Sequence, residues 1–145
     1  LTPVRRLARD ERGAAIVEFA FVAPIFLLLV CAIVDFLRYF LVAISLTTAV
    51  REGARAAAAL ADPRDPAQLA VARQRVRDSF DAIGGAALTD AQIVVTPNLV
   101  GGGVGSVTVR VTGYRYAPLM PLADLIGLDG LPITRAAVFR WERTA

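Results

Sequence analysis

One apolar run near the N-terminus constrains this chain more than any other feature. In the 21 residues 14–34 the only ionisable side chains are Glu18 and the thiol of Cys31. At 1.5 Å of rise per helical residue the run is roughly 30 Å long, which is the thickness of the hydrocarbon core of a bilayer. A carboxylate in such a run is costly, so Glu18 is expected to have a function. The sequence therefore predicts a transmembrane helix over residues 14–34.

The flanking charges predict how this helix is oriented. Four arginines precede it, at positions 5, 6, 9 and 12, whereas the first charged residues after it are Asp35 and Arg38. Positively charged flanks stay in the cytoplasm. Residues 1–13 are therefore predicted to form a cytoplasmic basic leader, with residues 35–145 outside the cytoplasm. A secretory signal fits less well, because its apolar core would be shorter and no small-x-small cleavage site follows the run.

The helical pattern continues beyond the predicted span. Residues 35–61 contain no proline, one glycine and an alanine-rich end, all of which favour helix. Apolar residues three and four positions apart predict a stripe that packs on the rest of the protein, namely Phe36, Tyr39, Phe40, Ala43, Ile44, Leu46 and Val50. A single helix of about 48 residues, half transmembrane and half amphipathic, is the simplest interpretation. Pro24 is expected to kink it.

Residues 62–145 are predicted to form a small α+β head. Prolines 63 and 66 end the long helix, and Asp65 is a candidate N-cap for a second helix over residues 67–83, which Gly84 and Gly85 would close. Strands are predicted over residues 92–96, 106–116 and 133–142, with a short helical turn near residues 122–126. The predicted fold class is α+β, in which a long N-terminal helix carries a small antiparallel sheet and one additional helix.

The composition argues against most catalytic and ligand-binding classes. All 16 basic residues are arginine, histidine is absent, and Cys31 is the single cysteine. The leader holds four of the 16 arginines and two of the 13 acids, which leaves 12 against 11 and no basic surface for nucleic acid. The glycine-rich residues 101–105 lack the context of a phosphate loop and predict a hairpin turn. We therefore expect no enzyme activity, metal site or cofactor.

Three segments resemble one known family. They are RGAAIVEFAFVAP at residues 12–24, IVDFLRYF at 33–40 and AVREGARAAA at 49–58, and VFRWER at 138–143 resembles the close of the same proteins. Together they resemble the TadE-like family of minor pilins or pseudopilins, in the tight-adherence (Flp) branch of the type IV pilus and type II secretion superfamily. Residues 62–105 carry no such signature. The resemblance implies a structural subunit that acts in assembly of a tight-adherence pilus.

The resemblance also implies roles for residues at the start of the apolar run. A prepilin peptidase would cut after Gly13 and leave Ala14 as the mature N-terminus. Glu18 would then be the fifth mature residue, followed by the aromatic Phe19, and would serve subunit assembly by neutralising the new amino group of a neighbouring subunit. The alternative for Glu18 is that its carboxylate reaches the nearby membrane interface without a partner.

The implied partners are a prepilin peptidase, the major pilin, other minor pilins, the inner-membrane assembly platform and membrane lipid, without nucleic acid. The implied location is the bacterial inner membrane, crossed once with the C-terminus outside the cytoplasm, or the pilus itself. An uncleaved single-pass anchor with an extracytoplasmic interaction domain is the alternative function. The REGAR segment, residues 51–55, suggests no chemistry and is interpreted as a solvated or subunit-contacting helix face.

Overall fold

The computed structural model describes residues 11–80, 86–119 and 130–141. Helix α1 (Glu11–Ala58) has 48 residues and is followed by helix α2 (Pro66–Ser79). A 3-10 turn at Asp90–Gln92 leads into strand β1 (Ile93–Val100), which is followed by β2 (Gly103–Tyr116) and β3 (Leu131–Arg140). The predicted fold class is confirmed: a long N-terminal helix carries a small antiparallel sheet and one additional helix.

The three strands form one antiparallel sheet in the order β1-β2-β3. The hairpin between β1 and β2 turns at Gly101 and Gly102, whose φ angles of 59° and 84° favour glycine. The predicted hairpin turn is therefore confirmed at Gly101 and Gly102, whereas residues 103–105 belong to β2. Val95 pairs with Val109, and Val109 with Ala137, so the side chains that face the core lie side by side across the sheet.

The core lies between the sheet and the outer half of α1. The fully or almost fully buried members of α1 are Val42, Leu46, Ala49, Val50, Ala54 and Ala57. Helix α2 packs beside them through Leu69, Ala72 and Val76. The two helices are in close contact at Gly53, because a Cβ built on it would overlap Cγ2 of Val76. The glycine of the REGAR segment therefore has a packing role, which the sequence alone did not reveal.

The predicted amphipathic stripe on α1 is only partly correct. Its members that face the head are Tyr39, Ala43, Leu46 and Val50. Phe36, Phe40 and Ile44 are instead exposed, by 63%, 47% and 60%. At 100° per residue these three lie on the opposite side of the helix from Val42 and Ala49. The spacing of three and four predicted the wrong face in part, because a helix leaving a bilayer is apolar on every side. Periodicity there does not identify the face that packs on the head.

The start of α2 agrees with the sequence. Asp65 is its N-cap, and Oδ1 of Asp65 accepts a hydrogen bond from the N–H of Ala67 at 2.9 Å. α2 ends at Ser79, since Phe80 is extended and donates its N–H to the carbonyl of Arg77, so the prediction of a helix over residues 67–83 is wrong at Phe80. The predicted residues 81–83 with Gly84 and Gly85 lie outside the described residues. The long helix ends at Ala58 instead of residue 61, because the N–H groups of Ala59 and Leu60 already turn back in 3-10 fashion.

Strand lengths differ modestly from those predicted. β1 extends to Val100, four residues further than expected, because Pro97 is tolerated in an edge strand that needs hydrogen bonds on one side only. β2 begins at Gly103 instead of residue 106, and β3 spans Leu131–Arg140. The predicted turn near residues 122–126 and the last predicted strand residue, 142, lie outside the described residues.

Candidate functional site

The residues singled out at the N-terminal end lie on the first turns of α1. Gly13, Ala14, Glu18 and Phe19 are all helical and exposed. Glu18 follows Ala14 by four positions, so the two residues lie on the same side of the helix, about 6 Å apart along its axis. A Cβ built on Gly13 would meet no atom within 4 Å. Packing within the described residues therefore gives no reason for a glycine at position 13.

The first half of α1 is apolar and uncovered. Every large apolar side chain in residues 16–34 is exposed, from 39% at Val30 to 73% at Phe21. The most apolar window of the helix has a mean hydropathy of 2.7, and none of it is buried. By length and composition this helix can span a membrane, which agrees with the predicted transmembrane half.

Proline 24 lies inside this apolar half without ending the helix. α1 is continuous from Glu11 to Ala58 and includes Pro24. Because proline has no N–H, the carbonyl of Ala20 loses the hydrogen bond that a helix would otherwise give it. The kink expected at Pro24 stays a prediction.

Asp35 joins α1 to the head at the point where the apolar half ends. Its Oδ1 accepts a hydrogen bond from the N–H of Leu119 at 2.7 Å. The phenol of Tyr116 donates to the backbone carbonyl of Asp35 at 3.1 Å and lies 3.4 Å from Oδ1. Arg38, one turn later, is 3.8 Å from the same carboxylate oxygen. The first acid after the apolar half is thus engaged with the protein, and its side chain is only 13% exposed.

Tyr116 is held in place by an aromatic contact as well. Its ring meets that of Tyr39 edge to face, with 5.6 Å between the centroids. Burial raises the pKa of Tyr116 above the ordinary value of 10.0, and the Asp35 carboxylate raises it further. The phenol therefore keeps its proton and remains a hydrogen-bond donor to Asp35 at neutral pH. The sequence did not predict this link, because it joins positions 81 residues apart.

The other end of α1 is fastened to the sheet by the only tryptophan. The indole N–H of Trp141 donates to the carbonyl of Leu60 at 3.0 Å. Close by, the guanidinium of Arg64 donates to the carbonyl of Gly102 in the hairpin turn at 3.1 Å. The tryptophan of the VFRWER segment thus packs the end of β3 against the end of α1. With the link at Asp35, both ends of the outer half of α1 are attached to the head.

A shallow polar depression of about 380 Å³ lies beside this tryptophan, lined in part by Asp62, Arg64 and Trp141. Oδ1 of Asp62 accepts from the N–H of Arg64, so this carboxylate serves the turn after α1. In the three described ranges, no group of three or more histidine, cysteine, aspartate or glutamate side chains is placed to hold a metal ion. The side chains of Asp62 and Arg64 in this depression are therefore used in hydrogen bonds within the protein.

Comparison with known proteins finds one family match, and it lies within α1. Residues 13–55 match the model of the family described as TadE-like protein. The match contains Gly13, Glu18, Asp35 and the whole REGAR segment, and it ends before the head begins. It confirms the resemblance drawn from the sequence, over less than a third of the 145 residues. No curated protein and no solved structure matches the chain.

Proposed function

We propose that this chain is a membrane-anchored, pilin-like subunit that acts in assembly of a tight-adherence pilus. The observation that carries the proposal is the match of residues 13–55 to TadE-like proteins, a family associated with this pilus. The architecture supports it, because α1 exposes an apolar surface over residues 16–34 while the head attaches at and beyond Asp35. Such a chain has a stem suited to lipid or to other apolar stems, and a head suited to water.

The proposed organisation follows the sequence. Residues 1–13 form a cytoplasmic leader, residues 14–34 cross the inner membrane, residues 35–61 continue the helix outside, and residues 62–145 form the head. The arginine-rich leader supports this orientation through the positive-inside rule. The engagement of Asp35 by Tyr116 and Leu119 supports a membrane boundary near residue 35, because there the helix first carries a polar group that the head satisfies.

Processing by a prepilin peptidase is the second part of the proposal. Cleavage after Gly13 would release the leader and create a new amino group on Ala14. The open space around Gly13 supports this, because no neighbouring atom within the described chain requires a glycine there. A requirement for glycine would then come from the peptidase, which must reach the backbone on either side of the scissile bond.

Subunit assembly through Glu18 is the third part. An exposed carboxylate on an apolar helix is unfavourable in lipid unless an opposite charge neutralises it. The amino group of Ala14 on a neighbouring mature subunit would supply that charge. Pairing between parallel subunits would place two stems side by side, offset by about 6 Å along the helix axis, because Glu18 lies four residues after Ala14. The head is assigned a role in contacts and no catalytic role.

The experiment that tests this pairing compares variants of Glu18 in the native host. Glu18→Gln should still be inserted and processed, yet should co-purify at least ten-fold less with other pilin-like subunits, because the partner's amino group is left uncompensated. Glu18→Asp should retain part of the association, since it keeps the carboxylate. Asp78→Asn, which removes an exposed carboxylate from α2, is the matched control and should associate normally.

Two results would count against the proposal. Normal co-purification of Glu18→Gln would show that the carboxylate acts without a partner and would favour the interface-reaching alternative. A fully functional chain that keeps its leader in the native host would favour the uncleaved anchor with an extracytoplasmic interaction domain.

A further inference from the structure

The side of α1 that faces away from the head carries an apolar surface beyond the predicted span. We call it the outer strip, and its members are Phe36, Leu37, Phe40, Leu41 and Ile44. Their exposed fractions lie between 47% and 63%. The rings of Phe36 and Phe40 stack edge to face at 4.7 Å. The strip continues the exposed apolar surface of the span without interruption through Ile33 and Val34.

The head side and the strip side of α1 become polar at different positions along the helix axis. On the head side the change comes at Asp35 and Arg38, which are engaged with each other and, through Asp35, with the head. These two are the only charged residues between Glu18 and Arg51. On the strip side the apolar surface therefore continues to Ile44, nine residues past Asp35, or roughly 14 Å further along the axis.

This asymmetry has a geometric consequence in a bilayer. From Glu18 to Arg51 the strip side is free of charge over roughly 50 Å of helix, whereas a bilayer measures about 30 Å in its core and about 40–45 Å with its headgroup layers. A helix standing upright would lift Ile44 out of the lipid. A tilt toward the strip, within the range of about 0–40° found for such helices, keeps the strip in contact with lipid.

We propose that the outer strip lies in the headgroup layer of the extracytoplasmic leaflet, so that α1 crosses the membrane tilted and the head rests on its upper side. This inference depends on the membrane span of the proposed function. It assigns a lipid-binding surface to the part of the stem outside the hydrocarbon core. The occupant is the acyl-headgroup boundary of a bilayer that contains anionic lipid.

The charges beyond the strip indicate anionic lipid as the partner. Arg51 and Arg55 follow on the same side of the helix, by the rotation of 100° per residue, and both are exposed. Arg55 lies 3.7 Å from the carboxylate of Glu52, so Arg51 contributes more to the positive charge beyond the strip. Long cationic side chains next to an apolar helix face reach toward phosphate groups. Two parallel copies meeting through their strips would instead bring Arg51 against Arg51, which is unfavourable. Lipid therefore fits the strip better than a second copy of the chain.

Spin labels test the proposal in the full chain, reconstituted in vesicles of phosphatidylcholine and phosphatidylglycerol. In a Cys31→Ala background, single cysteines replace Ile44 in the strip, Phe26 in the span and Val138 on the outer face of the sheet. Val138 is the matched control, because it is an exposed apolar residue at 59% that belongs to the head. The emission spectrum of Trp141, recorded before each label is attached because nitroxides quench nearby indole fluorescence, shows that each cysteine variant is folded.

We expect the labels at 44 and 26 to collide mainly with oxygen, which dissolves in lipid, and the label at 138 mainly with an aqueous nickel chelate. A label at 44 that behaves like 138 while 26 stays in lipid would overturn the strip proposal and leave the span intact. Aqueous behaviour at both 44 and 26 would overturn the span itself. Spin–spin broadening at 44 in protein-dilute vesicles would show that a second copy covers the strip and would also overturn the proposal.

Variants of two arginines provide a second, independent test. Arg51→Gln, with the label at 44, should raise nickel collisions about two-fold in vesicles with phosphatidylglycerol and leave them unchanged in phosphatidylcholine alone. Arg75→Gln on α2 is the matched control, since it removes an exposed arginine from the head, and it should have no effect in either lipid. An absent effect of Arg51→Gln, or an equal effect in both lipids, would contradict an electrostatic role for Arg51.

Discussion

The phenol of Tyr116 donates a hydrogen bond to the backbone carbonyl of Asp35, with 3.1 Å between the two oxygens. This bond ties the end of β2 to α1 at the height where the apolar half of the helix ends. Two residues earlier on the same strand, Tyr114 is 1% exposed, and its hydroxyl has no hydrogen-bond partner among the described residues. Both tyrosines are therefore buried on one strand, but only the hydroxyl of Tyr116 is hydrogen-bonded within the described residues.

This contrast predicts opposite effects for the same substitution. Tyr116→Phe should lower the free energy of unfolding by about 1 kcal/mol, because a satisfied hydrogen bond is lost. Tyr114→Phe should be neutral or stabilising, because it removes a buried hydroxyl that gains no hydrogen bond there. Unfolding of the full chain in detergent can be followed by the fluorescence of Trp141, the single tryptophan. An equal loss in both variants would contradict the assigned difference.

The same tyrosines predict how stability depends on alkaline pH. Burial raises the pKa of Tyr114 above 10.0, and burial together with the Asp35 carboxylate raises that of Tyr116. As pH rises through about 10, the unfolded chain loses these protons before the folded chain does, so the folded state loses stability. The contribution should be fully present below pH 10 and decline above it.

The alkaline loss of stability is simpler to assign in this chain, because it contains no lysine to titrate near the same pH. Unfolding of the full chain, measured at increasing pH, should show a decline above pH 10 that is shallower in Tyr114→Phe and shallowest when both tyrosines are phenylalanine. An unchanged slope in the double variant would assign the alkaline loss to other groups.

Gly53 predicts a steric cost between the two helices. Gly53→Ala should destabilise the head by about 1–3 kcal/mol, because the added Cβ overlaps the side chain of Val76, and this outweighs the gain of up to about 1 kcal/mol in helix propensity. In a Val76→Ala background the same change should cost clearly less, since the obstructing methyl is gone. Melting temperatures of the wild type, the two single variants and the double variant, measured by Trp141 fluorescence, complete this double-mutant cycle. An undiminished cost in that background would refute the contact as the cause.

Much of the fold could be predicted from local patterns. The continuous helix, the N-cap at Asp65 and the alternating strand that became β2 each depend on residues close together in sequence. The head-facing side of α1 could not be predicted, because Phe40 and Leu46 are equally apolar and only tertiary packing separates them. The link from Tyr116 to Asp35 has no local signature either. The role of Gly53 is set by a residue on another helix, Val76.

Only part of the candidate site, likewise, could be predicted from local sequence. The helical position of Glu18, one turn after Ala14, follows directly from the sequence. The roles assigned to Gly13 and Glu18 come from the resemblance to TadE-like proteins, because both residues face outward and their proposed partners are other molecules. The group proposed to neutralise Glu18 is the amino group of Ala14 on a second subunit, so the structure of one chain does not contain that pair.

The mass of the protein isolated from membranes of its native host tests the central claim most directly. If a prepilin peptidase removes residues 1–13, as proposed, peptide mapping by mass spectrometry should find a mature chain that begins at Ala14. Gly13→Val should retain the leader, since a β-branched side chain crowds the scissile bond, whereas Ala23→Val, deeper in the helix, should be processed normally. A wild-type chain in which a single peptide still joins Gly13 to Ala14 throughout the membrane-embedded population would contradict the assignment as a processed pilin-like subunit.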